Sequence, residues 1–262
     1  MMTTDTDPAK DWQGKDLRCA DCANHALSQA GRCQLQRACV EDCYAKHIDR
    51  FFDWNPDLAK DFLAHPYFEV RAVAAQHADV FHLPPLMNDP DETVRWSIAQ
   101  RLPQRYLMSM RSDPNREVRI RVAARLEESH LGSMLKDEDY YVRQVVARRL
   151  PAGMLVLMMN DPDPEVRLTV AKRIGEEWLV KMSCDEDARV RIEVASRING
   201  EQLPLLLNDP DWRVRYEVVS RIAGKYLARM LNDEDSAVRE LARSRLTPEI
   251  MGQGRHIFSL VG

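Results

Sequence analysis

From residue 65 onward, apolar and polar positions repeat with a period of 24 residues. Asp89, Asp113, Asp137, Asp161, Asp185, Asp209 and Asp233 mark the register, which extends back to His65 and gives eight copies. With that leading residue as position 0, position 5 is Val in every copy, from Val70 to Val238, and position 6 is Arg, from Arg71 to Arg239. Position 9 is mostly Val or Ile and position 13 mostly Leu or Ile. Apolar residues every four positions place one stripe along an α-helix. A unit this short cannot bury such a stripe alone, so neighbouring units must complete its core, as in a stacked repeat.

Asp followed by Pro, as in Asp89-Pro90 and Asp113-Pro114, reads as an N-cap and a proline in the first helical turn. Pro103, Pro151, Gly175 and Asn199-Gly200 mark the stops. The expected helix is about 11 residues, roughly 16 Å long. A second short element follows, with apolar pairs such as Leu107/Met110, Leu155/Met158 and Leu203/Leu206. Spacing of three suits a 3₁₀ turn and a brief α-helix equally. No segment shows the alternation of a strand.

The chain therefore divides into a disordered tail over 1–16, a cysteine-rich domain over 17–54, an incomplete unit over 55–64, eight repeats over 65–256 and a cap over 257–262. The expected fold is an all-α superhelical solenoid, alternating an α-helix with a short helix, behind a small N-terminal metal domain.

Three polar or mixed columns invite a functional reading. The position 6 arginines lie on the apolar arc and need anionic partners, and carboxylates at positions 0 and 2 recur with the same period, which predicts an Asp–Arg ladder between units. His65 and Tyr67 replace both carboxylates in the first unit, as suits a terminal unit with a different neighbour. Position 7 (Trp96, Ile120, Leu168, Ile192, Tyr216) is expected to pack against the adjacent unit. Position 12 is Arg in seven of eight copies, among them Arg101, Arg125 and Arg245, a basic stripe that would serve as a nucleic-acid footprint only weakly.

Composition adds limits. At 45% hydrophobic and 30% charged the chain can bury a core, and its formal charge of -4 argues against a nucleic-acid or membrane-surface protein. No apolar run reaches the length of a membrane span, and the expected compartment is the cytoplasm. There is no P-loop, HExxH, GxSxG or dinucleotide-binding fingerprint, so an enzyme is the least favoured class.

Five of the six cysteines (Cys19, Cys22, Cys33, Cys39, Cys43) fall within 25 residues. In a reducing compartment such a cluster reads as a metal site rather than as disulfides. Cys19 and Cys22 form a CxxC grip, and Cys39 with Cys43 has helical i,i+4 spacing, on a helix expected to continue through Tyr44, Ile48, Phe51 and Phe52. Five candidates compete for four places, and spacing alone does not separate zinc from an iron–sulfur cluster. His25 and His47 are expected to be ordinary surface or packing residues, and Cys184 stands alone at a unit boundary.

The repeated DPDxxVRxxVAxRL followed by LxxMM or LxxLL, behind a cysteine-rich segment, resembles the leucine-rich repeat variant family. The resemblance implies a right-handed superhelix of alternating α- and 3₁₀-helices and a 4Fe–4S cluster on four cysteines, matching best Cys19, Cys22, Cys33 and Cys39, with Cys43 as the alternative fourth ligand. It associates the chain with nitrogen-fixing bacteria and brings no established activity. The expected role is a protein-interaction scaffold with a structural or oxygen- or redox-sensing cluster and a protein partner; electron transfer and nucleic-acid binding are the alternatives.

Overall fold

A computed structural model describes residues 8–257, with side chains from 8 to 246. Two compact units, 1–134 and 135–262, divide the chain. Among the described residues all regular elements are helical apart from two isolated bridges, Lys10 with Asp16 and Gln34 with Ala38.

The first unit begins with the cysteine-rich segment. Helix Ala45–Trp54 buries Ile48, Phe51 and Phe52 completely, and the 3₁₀ helix Pro56–Phe62 follows. Phe51, Phe52 and Phe62 meet edge to face with centroids 5.3 to 5.8 Å apart, and Phe52 also reaches His77 in the first repeat helix, Phe68–His77. This aromatic cluster joins the cysteine-rich segment to the repeats. Beyond it come Glu92–Ala99 with Gln104–Met110, then Arg116–Arg125 with Glu128–Met134. The second unit continues the pattern with Tyr140–Arg149, Pro164–Ala171, Ala188–Arg197 and Trp212–Arg221 as long helices.

Every position 5 valine is fully buried, as are the position 18 leucines Leu83, Leu107, Leu131, Leu155, Leu179, Leu203 and Leu227. Short helices stack because each supplies only half of a core. The second elements are mixed: Gln104–Met110 and Gly224–Met230 are α-helical, Ala152–Met158 and Leu203–Leu206 are 3₁₀, and Glu176–Leu179 passes from α into the 3₁₀ turn Val180–Met182.

The helix starts differ from the Asp-Pro reading. The cap is position 2, where Asp91 accepts the Thr93 N–H at 2.8 Å and Asn115 the Glu117 N–H at 2.8 Å. Position 0 lies one turn earlier, with Asp89 Oδ1 accepting the Asp91 N–H at 2.9 Å, and the proline between them precedes the helix. The resulting long helices of the first seven repeats run 8 to 10 residues.

Residues 8–16 and the eighth repeat depart from expectation. Residues 1–7 of the expected tail lie outside the described residues, whereas 8–16 form a closed turn in which Asp11 Oδ1 accepts the Gln13 and Lys15 N–H groups at 2.9 Å. Trp12 in that turn stacks on Tyr67 with centroids 5.6 Å apart. The eighth repeat has no separate second element, because helix Ser236–Ile257 continues through it. Of the expected cap, 258–262 lie outside the described residues.

Candidate metal centre and the repeat columns

Four cysteines, Cys19, Cys22, Cys33 and Cys39, line one small cavity together with Leu17, Leu35 and Glu41. Cys33 and Cys39 are buried, and Cys19 and Cys22 are half-buried. Cys43 is exposed and is absent from the cavity wall.

Local backbone chemistry explains the convergence. Cys19–Asp21 is a 3₁₀ turn, closed by the Cys22 N–H on the Cys19 carbonyl at 3.3 Å, which brings the two CxxC sulfurs to one side. Helix His25–Gln29 ends at Gly31, whose φ of 72° is open to a residue without Cβ, and the Arg32 N–H turns back onto the Leu27 carbonyl at 2.8 Å. That reversal delivers Cys33. The Gln34–Ala38 bridge, with both N–H···O bonds at 2.8 Å, then sets Cys39 beside Cys33 across a tight loop.

Cys39 and Cys43 are not on a helix, contrary to their i,i+4 spacing. The helix starts only at Ala45, and the buried Asp42 holds the preceding chain by accepting the Tyr44 N–H and the His47 Nδ1–H, both at 2.9 Å. The Cys39 N–H donates to the His47 carbonyl at 3.1 Å, and Cys43 is turned toward Lys10, whose carbonyl accepts its N–H at 3.1 Å.

The donor chemistry fits an iron–sulfur centre. A hydrogen bond from Cys39 lowers the Cys33 thiol pKa, whereas donating that bond, together with burial, raises Cys39. Burial also raises Cys22 despite the Asn24 N–H that donates to its sulfur at 3.3 Å. As metal ligands the four sulfurs would be thiolates, which in a partly apolar pocket repel one another, so holding all four deprotonated takes a positively charged centre between them. Among the described residues no three His, Cys, Asp or Glu side chains converge as ligands of a single ion. Four sulfurs on the wall of one cavity are the donor set that a cluster with one thiolate at each iron takes.

The repeat columns are structural. In the first unit Arg95 Nε and Nη2 donate to Asp113 Oδ2 and Oδ1 at 2.8 and 3.0 Å, and Arg71 grips Asp89 in the same bidentate way. In the second, Arg143, Arg167, Arg191 and Arg215 pair with Asp161, Asp185, Asp209 and Asp233. Each guanidinium also donates from Nη1 to carbonyls at the start of its own repeat, as Arg95 does to Asp89 O at 2.8 Å.

Sequence reasoning missed the role of position 12. Arg125 Nη1 donates to the Ala99 and Leu102 carbonyls at 2.8 and 3.0 Å, and Arg101 and Arg245 make the same bonds to the preceding repeat. These arginines satisfy carbonyls left over at the C-terminal end of the preceding helix. Their constant distance from the helix stop, one period earlier, is the sequence signal. At position 7, Trp96, Ile120, Leu168 and Ile192 are half-buried, and Trp96 carries the Arg121 guanidinium of the next repeat 4.8 Å from its ring centroid. Tyr216 is 40% exposed beside Trp212.

A helical stack of 24-residue repeats, preceded by a cysteine-lined cavity, defines a solenoid protein with a candidate metal centre at its N-terminal end. Residues 9–61 match the family described as LRV protein FeS4 cluster, and 140–163 match the leucine rich repeat variant. A solved structure described as a leucine-rich repeat variant with a novel repetitive protein structural motif is 43% identical, with a TM-score of 0.84, over 88% of this chain and 99% of that one. The chain belongs to the leucine-rich repeat variant family. A Rhodobacter capsulatus protein described as an uncharacterized 27.7 kDa protein in the nifB 3′ region is 48% identical over 93 residues, 36% of this chain, and the match spans 38% of that relative's length. No helix among the described residues is long and apolar enough to cross a membrane.

Proposed function

We propose that the protein is a protein-binding scaffold whose cysteine domain serves as an oxygen- or redox-responsive cap on the repeat stack. The observation that carries this reading is that a residue of the cavity wall, Glu41, also contacts the first repeat. Glu41 lines the cavity, and its Oε2 lies 3.6 Å from Nε2 of His65, the residue standing at position 0 of the first repeat. His65 Nδ1 accepts the Tyr67 N–H at 3.1 Å, as position 0 aspartates do elsewhere, so its other nitrogen faces the cysteine domain. Arg32, beside Cys33, pairs with Asp57 at 3.1 Å, and its carbonyl accepts from the buried Asn55 at 2.8 Å. His77 Nε2 and Asp49 Oδ1, 2.8 Å apart, tie helix Ala45–Trp54 to the first repeat helix, Phe68–His77.

A 4Fe–4S cluster held by Cys19, Cys22, Cys33 and Cys39 would supply a one-electron couple and a bond set open to oxidative loss. Loss of the centre frees the Cys33–Cys39 loop and with it Glu41 and Asn55, loosening the cap while the ladder keeps the later repeats stacked. Limited proteolysis before and after controlled oxygen exposure tests this. New cleavage confined to 17–67 is expected, and an unchanged pattern contradicts the sensing role.

Electron transfer is the second reading, favoured by the half-exposed Cys19 and Cys22 at the cavity edge. Reversible voltammetry with no change in proteolysis would support it over sensing. Arg101, Arg125 and Arg245 donate to carbonyls of the preceding repeat, which speaks against reading their column as a nucleic-acid stripe.

A further inference from the structure

We infer that His25 is a positioning residue of the metal centre, bracing the CxxC loop from both of its ends; the inference rests on the reading of the cavity as an iron–sulfur site. His25 forms part of the cavity wall and opens helix His25–Gln29. Its backbone N–H donates to the Cys22 carbonyl at 3.0 Å, and its Nδ1 lies 2.8 Å from the Cys19 carbonyl. A carbonyl oxygen only accepts, so Nδ1 carries the proton and donates. Nε2 then faces Nε2 of Gln29 at 3.0 Å, which fixes the ring orientation from the next turn of the helix.

One residue thus holds both cysteines, one through its side chain and one through its backbone. The backbone bond that otherwise closes the CxxC turn, Cys22 N–H on Cys19 O, is the longer one at 3.3 Å, so the shorter imidazole bond sets the Cys19 carbonyl. With that carbonyl fixed, the Cys19 side chain has few ways to leave the cavity. The Asn24 N–H donates to the Cys22 sulfur and Asn24 immediately precedes His25, so displacement of the ring also disturbs a bond to a ligand sulfur. Groups that orient ligands from outside are worth about 10- to 100-fold in metal affinity.

Two substitutions separate this from a packing role. His25→Phe keeps the ring and removes the donor. His25→Asn gives up the ring but places an amide N–H on Cγ, where Nδ1 stands. The experiment follows visible absorbance and the electron paramagnetic resonance signal of the anaerobically reconstituted full chain during challenge with an iron chelator. His25→Phe is expected to lose the centre about 10-fold faster than the natural sequence, and His25→Asn to restore most of the lifetime with an unaltered signal. Equal lifetimes for all three proteins, or retention by Phe with loss by Asn, would overturn the brace alone. Absence of a sulfur-to-iron absorbance in the natural protein would overturn the cluster reading and this inference with it.

Discussion

At the scale of single residues, the repeated charges act as internal fasteners. Arg95 and Asp113 are each 8% exposed, so removing one partner strands a buried charge, whereas removing both does not. Arg95→Met is expected to lower unfolding free energy by about 3 kcal/mol, and the Arg95→Met, Asp113→Leu pair by clearly less. Urea denaturation of the three proteins checks this, and an additive double variant would refute a coupled pair. Asp211 belongs to an exposed pair within one repeat, where the Arg213 guanidinium holds its carboxyl down to about 2. A depressed carboxyl contributes stability that is fully present above its unfolded pKa and fades as pH falls through the folded value. Carboxyl NMR is expected to show Asp211 ionised down to a pH of about 2 and to return to the ordinary range in Arg213→Ala. The ladder was readable from sequence because both partners recur with the repeat. The position 12 arginines escaped because their partners are backbone carbonyls, which have no residue identity.

At the scale of elements, periodic burial was readable and local exceptions were not. The valine and leucine columns located each helix, since burial depends on side-chain type and spacing. The cap was misplaced by two residues because Asp at position 0 and Asp or Asn at position 2 are both good caps. Asn115→Ala is expected to cost about 1 kcal/mol in thermal or urea unfolding, and Pro114→Ala far less because Pro114 precedes the helix. The reverse order would restore the Asp-Pro reading. Cys39 and Cys43 mimic a helical pair, but the Gln34–Ala38 bridge and the Asp42 bonds hold that stretch out of helix. Such pairings are local but occur once in the chain, and so leave no period. Cys43→Ser should therefore retain the visible chromophore while Cys33→Ser loses it; loss in both would bring Cys43 back as a ligand.

At the scale of the molecule, the repeats form the frame and the cysteine domain holds the candidate metal centre. The natural end of a repeat stack exposes apolar surface and needs a cap. Here the Phe51, Phe52 and Phe62 cluster, the Trp12–Tyr67 stack and the Glu41–His65 contact close the first repeat from the side of the cysteine-lined cavity. The substitutions His65 and Tyr67 signalled an unusual neighbour, while the contacts themselves required the fold. The most direct test of this coupling is amide hydrogen exchange of the full chain with and without its iron–sulfur centre. The account predicts that, on removal of the centre, helix Phe68–His77 loses protection while Ala188–Arg197 keeps it. Equal protection of Phe68–His77 in the two states would contradict it.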